Sequence, residues 1–131
     1  MKFEREHYIE KLLSSKHNHL IKIVTGLRRV GKSYLLLNLY KQHLLDNDVD
    51  ASHIIEIKLD SFAHRKYRKA ETLYEYIENL TKQDSQMYYV IIDEVQMLED
   101  FVDVLNGFLH IDNLDVYVTG SNAKFLSSDI V

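Results

Sequence analysis

The stretch Gly26-Leu27-Arg28-Arg29-Val30-Gly31-Lys32-Ser33 decides the reading of this chain. It fits the pattern GxxxxGK[ST], which marks a loop that wraps phosphate. On its left, Leu20-Ile21-Lys22-Ile23-Val24-Thr25 is mostly apolar and β-branched, as a strand would be. On its right, Tyr34-Leu35-Leu36-Leu37-Asn38-Leu39-Tyr40 reads as a helix. Strand, loop and helix in that order are the setting the pattern needs. Gly26 and Gly31 can take backbone conformations closed to other residues, so the loop can curl with its N–H groups turned inward. Together with the free N–H groups at the helix start, they form a nest for an anion. Lys32 would set a point charge on the β- and γ-phosphates, and the Ser33 hydroxyl can ligate Mg²⁺. The nucleotide-contacting set expected from this segment is Gly26, Arg29, Val30, Gly31, Lys32, Ser33 and Tyr34.

Further along, the same alternation repeats. Residues 53 to 59 read as a second strand with Asp60 and Ser61 at its end. Residues 88 to 93, YYVIID, read as a third, apolar enough to be covered on both faces. Residues 114 to 119 read as a fourth. Helices are expected over 4 to 16, 32 to 45, 70 to 81 and 99 to 109, with a last helical turn from about Ala123. The inward faces are expected to carry Leu73, Tyr76, Ile77 and Leu80 on the second long helix, and Phe101, Val102, Leu105 and Leu109 on the third. Strands alternating with helices imply a parallel sheet, in which ligands bind at the carboxyl ends of the strands.

Two of those ends carry chemistry. The third strand closes on Asp93-Glu94. Asp93 would hold the Mg²⁺ shell beside Ser33, and Glu94 would orient and deprotonate an attacking water. Alone, an Asp-Glu pair opening a turn means little; the loop upstream gives it weight. The fourth strand closes on Thr119-Gly120-Ser121-Asn122, from which Asn122 could sense the γ-phosphate, or Ser and Asn could simply cap a turn.

Composition narrows the rest. The chain has 131 residues, 46% hydrophobic and 27% charged, which suits one domain with one sizeable core. A net charge of −4 supplies no global basic field for nucleic acid or an anionic membrane. No cysteine is present, which excludes disulfides and thiolate chemistry. No apolar run approaches a membrane span, the start lacks the apolar core of a signal peptide, and a cytoplasmic setting is the default.

GLRRVGKSYLLL, YYVIIDEVQ and VYVTGSNAKFLSS together resemble the prokaryotic AAA-type ATPases whose full-length members carry a C-terminal uncharacterised domain. The resemblance covers nearly the whole chain. It implies a three-layer α/β P-loop fold with strand order 1-4-3-2, ATP and Mg²⁺ as ligands, and ATP hydrolysis. ATP rather than GTP also fits the lack of an Asn-Lys-x-Asp segment. Similar ATPases continue past the GSNA helix into a fifth strand beside the first. Residues 1 to 131 therefore read as a single, truncated ATPase domain with that strand missing, an open first-strand edge that invites self-association, and weak activity in this form. The rival expectation is a nucleotide-gated regulatory or DNA-associated switch with little or no hydrolysis.

Other features have two readings each. Arg28 and Arg29 could touch nucleotide or pair with acidic neighbours. Gln96 could help place water or merely start a helix. The run His64-Arg65-Lys66-Tyr67-Arg68-Lys69 could meet nucleic-acid phosphates or be a solvated loop. The seven histidines gather no ligand set, and the nine tyrosines belong more to core or rim than to base stacking.

Overall fold

The computed structural model describes residues 21–25 and 32–120, with the side chains of 24, 25 and 32–37 excepted. The helices expected over 4 to 16 and from Ala123 lie outside these residues. Four strands, β1 (Lys22–Thr25), β2 (Ile54–Lys58), β3 (Tyr88–Asp93) and β4 (Leu114–Gly120), form one parallel sheet in the order β1-β4-β3-β2. This is the order the resemblance implied. The helices are α1 (Lys32–Asp46), α2 (Ala70–Thr81) and α3 (Phe101–Phe108).

Period-two alternation along the strands sorts the core into two layers. Ile55 and Ile57 of β2, Tyr88, Val90 and Ile92 of β3, and Leu114, Val116 and Val118 of β4 pack against Leu73 and Ile77 of α2 and Val104, Leu105 and Phe108 of α3. On the opposite face Ile54, Tyr89, Ile91 and Tyr117 pack under Tyr40 and Leu44 of α1. Helix, sheet and helix are thus three layers. Each fully buried aliphatic side chain here contributes about 1.5–3 kcal/mol.

The inward face of α3 differs from the expected one. The helix begins at Phe101, not 99, and Val104, Leu105 and Phe108 point inward while Val102 and Leu109 are exposed. At about 3.6 residues per turn, Phe101 and Phe108 fall between Val104 and Leu105, while Leu109 and Val102 fall to one side beyond Leu105; the sheet takes the arc from Val104 to Leu105. On α2, Thr81 joins Leu73 and Ile77 in the core, and Tyr76 instead lies outside, stacked on Tyr67 with ring centroids 4.8 Å apart.

Two features were not foreseen. Lys22, in the apolar-looking first strand, is buried, and its ammonium donates to the Asp115 carboxylate, also buried. The Tyr117 hydroxyl donates to the other Asp115 oxygen at 2.7 Å, and the Tyr40 and Tyr117 hydroxyls bond to each other. Burial pushes both phenols well above their ordinary range. This polar chain joins β1, β4 and α1 on the α1 face. The basic run, in turn, forms a 3-10 helix, Phe62–Arg68, rather than a loop. It is pinned to the end of β2: the Arg68 Nε donates to the Leu59 carbonyl at 2.7 Å, and His64 Nδ1 accepts the Lys58 N–H at 2.9 Å.

Candidate functional site at the carboxyl edge of the sheet

β1 ends at Thr25 and α1 begins at Lys32, so residues 26 to 31 connect a strand end to a helix start as the sequence reading requires. Lys32, Ser33 and Tyr34 are the first residues of α1. Gly26, Arg29, Val30 and Gly31 lie outside the described residues, as does Asn122. The register pairs Thr25 with Gly120 across β1 and β4, and Ile92 with Val118 across β4 and β3. The loop's starting strand, the end of β4 and the end of β3 therefore share one edge.

Asp93 is the last residue of β3 and is half-buried. Alternation puts it on the same face as Tyr89 and Ile91, the face under α1. Thr119 projects from β4 to the same face, and its hydroxyl donates to Asp93 Oδ1. The Thr119 hydroxyl oxygen in turn accepts the backbone N–H of Glu94 at 2.9 Å. One threonine thus fixes the carboxylate of one acid and the backbone of the next. Glu94 has left-handed backbone geometry, φ 59° and ψ 53°, which for a non-glycine residue costs roughly 1–3 kcal/mol. Its bond to Thr119 and the buried side chain of Val95 hold that turn in place.

The Glu94 carboxylate accepts a hydrogen bond from Gln96 Nε2 at 2.6 Å, and Gln96 lies on the short 3-10 turn Val95–Met97. Asp60, exposed just past β2, completes a group with Asp93 and Glu94 in which one oxygen from each lies within 4.8 Å of the others. Burial raises the Asp93 carboxyl above the usual carboxylate range; Thr119 lowers it, and the charges of Glu94 and Asp60 raise it further. A carboxylate held at such a penalty is one that a divalent cation would relieve, and an all-oxygen donor set suits Mg²⁺.

The structure thus brings Asp93 and Glu94 together at the edge where α1 starts. Thr119 and Asp60 are the residues the sequence reading did not assign. In sequence Thr119 stands at the polar end of β4 and Asp60 just past β2, but only the pairing of β4 and β2 with β3 brings them to Asp93.

A parallel sheet in the order β1-β4-β3-β2, with a phosphate-loop sequence after β1 and paired acids after β3, defines the class of P-loop α/β nucleoside triphosphatase domains. Residues 18–131 match the family described as an AAA domain, and the chain belongs to that family. It is 30% identical over 126 residues to an uncharacterized protein of Haemophilus influenzae, covering 96% of this chain and 31% of that one. It is 27% identical over 124 residues to an uncharacterized protein of Methanocaldococcus jannaschii, covering 92% of this chain and 24% of the other. The chain thus spans a third or less of these relatives' length. Among solved structures it is similar in fold to Drosophila ORC bound to DNA, with TM-score 0.61, 12% identity, and coverage of 91% of this chain and 77% of that one. It is likewise similar to C. elegans PCH-2, with TM-score 0.56, 19% identity, and coverage of 90% and 36%. No helix among the described residues is long and apolar enough to cross a membrane.

Proposed function

We propose that this single domain binds ATP with Mg²⁺ at the carboxyl edge of the sheet and hydrolyses it. The observation that carries the reading is the Thr119 bridge, which holds Asp93 and Glu94 together on the face where α1 begins. Lys32 and the amides of the 26–34 segment would hold the phosphates. Ser33 and Asp93 would hold Mg²⁺, which when bound neutralises charge building on the phosphate oxygens. Glu94 takes the proton of the attacking water, and Asn122 senses the γ-phosphate. The family supports nucleotide chemistry in general, while ATP as the base, the metal and each residue's role are part of this proposal. Glu94→Gln should keep Mg-ATP affinity within about 3-fold and lower turnover by about 100-fold or more, the usual contribution of a positioned base. Undiminished turnover in that variant would remove Glu94 from the role.

A second reading has its own observation. Phe62 is 78% exposed, with the Arg65 guanidinium 4.5 Å from its ring centroid, and Lys66 and Lys69 are exposed beside it. A basic surface with an outward aromatic ring suits nucleic acid, with nucleotide binding as its switch. Binding of labelled DNA that weakens with salt and is lost on reversing the charges at Arg65, Lys66 and Lys69 is the expected result. DNA binding that survives the reversal would place the surface elsewhere.

A further inference from the structure

The side chain of Gln96 has one half explained and one half not. Its Nε2 donates to Glu94 Oε1 at 2.6 Å. Its Oε1 is buried and has no hydrogen-bond partner among the described residues. Turning the amide over would set oxygen against a carboxylate, so chemistry fixes which atom faces Glu94. A buried acceptor without a donor costs on the order of 1–3 kcal/mol. Here that acceptor is carried on the same amide carbon as the nitrogen that touches the proposed base, within one amide's width of that contact.

The backbone makes the arrangement rigid. Glu94 is fixed in its left-handed turn by Thr119, Val95 is anchored in the core, and the Met97 N–H donates to the Glu94 carbonyl at 3.0 Å. Residues 94 and 96 are thus two arms of one short turn, presented together past the end of β3.

We propose that Gln96 is a second water-positioning residue of this site: it fixes the Glu94 carboxylate through Nε2 and accepts one O–H of the attacking water through Oε1. The inference rests on the hydrolytic reading above. A water at this site has two protons. One goes to the Glu94 carboxylate, which removes it as the oxygen bonds to the terminal phosphorus and the bond from that phosphorus to the bridging oxygen breaks, releasing ADP. The other is held by the Gln96 carbonyl and stays on the oxygen. With both O–H bonds directed, the remaining lone pair is aimed rather than free to rotate, and orientation of this kind lowers the barrier without strengthening substrate binding. An ionised carboxylate only accepts, so a lone Glu94 cannot fix its own rotamer against water; the amide donor does that.

The test is steady-state and single-turnover kinetics on the full chain with Mg-ATP, comparing wild type with Gln96→Met and Gln96→Glu. It is paired with calorimetric affinities for ADP alone and for ADP with aluminium fluoride, which imitates the phosphoryl group in transit. Methionine keeps the length and removes both polar atoms; glutamate keeps an acceptor but replaces the donor with a like charge. Both should lower kcat about 100-fold with KM and ADP affinity within about 3-fold of wild type, and both should lose a similar factor in affinity for the aluminium fluoride complex. An unchanged kcat, or equal losses in ADP and aluminium fluoride affinity, would overturn the role, the latter by showing a general structural defect. Wild type that binds nucleotide without turning it over would overturn the hydrolytic reading and this inference together. Wild type that binds no nucleotide would overturn the nucleotide site itself.

Discussion

Asp93 shows how a site is held ready at a cost. Burial and the nearby charges of Glu94 and Asp60 raise its carboxyl above the ordinary range, while the Thr119 hydroxyl partly offsets this. A folded-state pKa raised above the unfolded value favours folding when the group is protonated. That contribution is fully present below the unfolded value and is lost as pH rises through the raised one. Metal-free Asp93→Asn should therefore melt higher than wild type at neutral pH, and the difference should vanish as pH falls to the ordinary carboxylate range. A thermal melt series without divalent cations checks it; a lower melting point for Asp93→Asn at neutral pH would show that the ionised carboxylate stabilises the fold instead. The two acids were readable from sequence because an apolar strand ending in Asp-Glu is a local pattern. Thr119 and Asp60 were not, because their meaning comes from strands β4 and β2 lying on either side of β3, and adjacency of non-consecutive strands is not written locally.

Among the elements, β1 is the instructive case. A strand with Lys22 among apolar residues would be assigned an outward lysine, since lysine is almost never fully buried unless paired. Its partner is Asp115, ninety-three positions away on β4, and the pair is completed by Tyr117 and Tyr40. Nothing local to residues 20 to 25 announces it. The chain of contacts fastens β1 to β4 and both to α1, the helix that starts with Lys32 and Ser33. Removing one partner leaves an uncompensated buried charge, so Lys22→Met alone should cost about 3–5 kcal/mol in chemical denaturation. Lys22→Met with Asp115→Leu should recover most of that loss, because Tyr117 keeps its bond to Tyr40. Additive losses in the double variant would mean that the pair is not acting as a unit. The α3 face teaches the complementary lesson. Its apolar residues form an arc wider than the sheet covers, so periodicity leaves open which part faces inward, and the sheet covers Val104, Leu105 and Phe108 while Val102 and Leu109 at one margin stay exposed.

At the scale of the whole molecule, the alternation of strands and helices, the three layers and the strand order were all legible, the last through resemblance and not through periodicity. Periodicity locates elements; it does not say that β4 lies between β1 and β3. That insertion is what gathers the end of β1, the start of α1, Thr119 and the Asp93-Glu94 turn along one edge. The edge is where a parallel α/β sheet offers a ligand its strand ends and helix starts. Calorimetric titration of the full chain with Mg-ATP, repeated with Lys32→Ala, therefore comes first. Micromolar binding that requires Mg²⁺ and disappears in Lys32→Ala is expected, a free energy of about −8 kcal/mol removed by one side chain. No binding by the folded protein, or equal binding by the variant, would mean that this edge does not hold a nucleotide's phosphates.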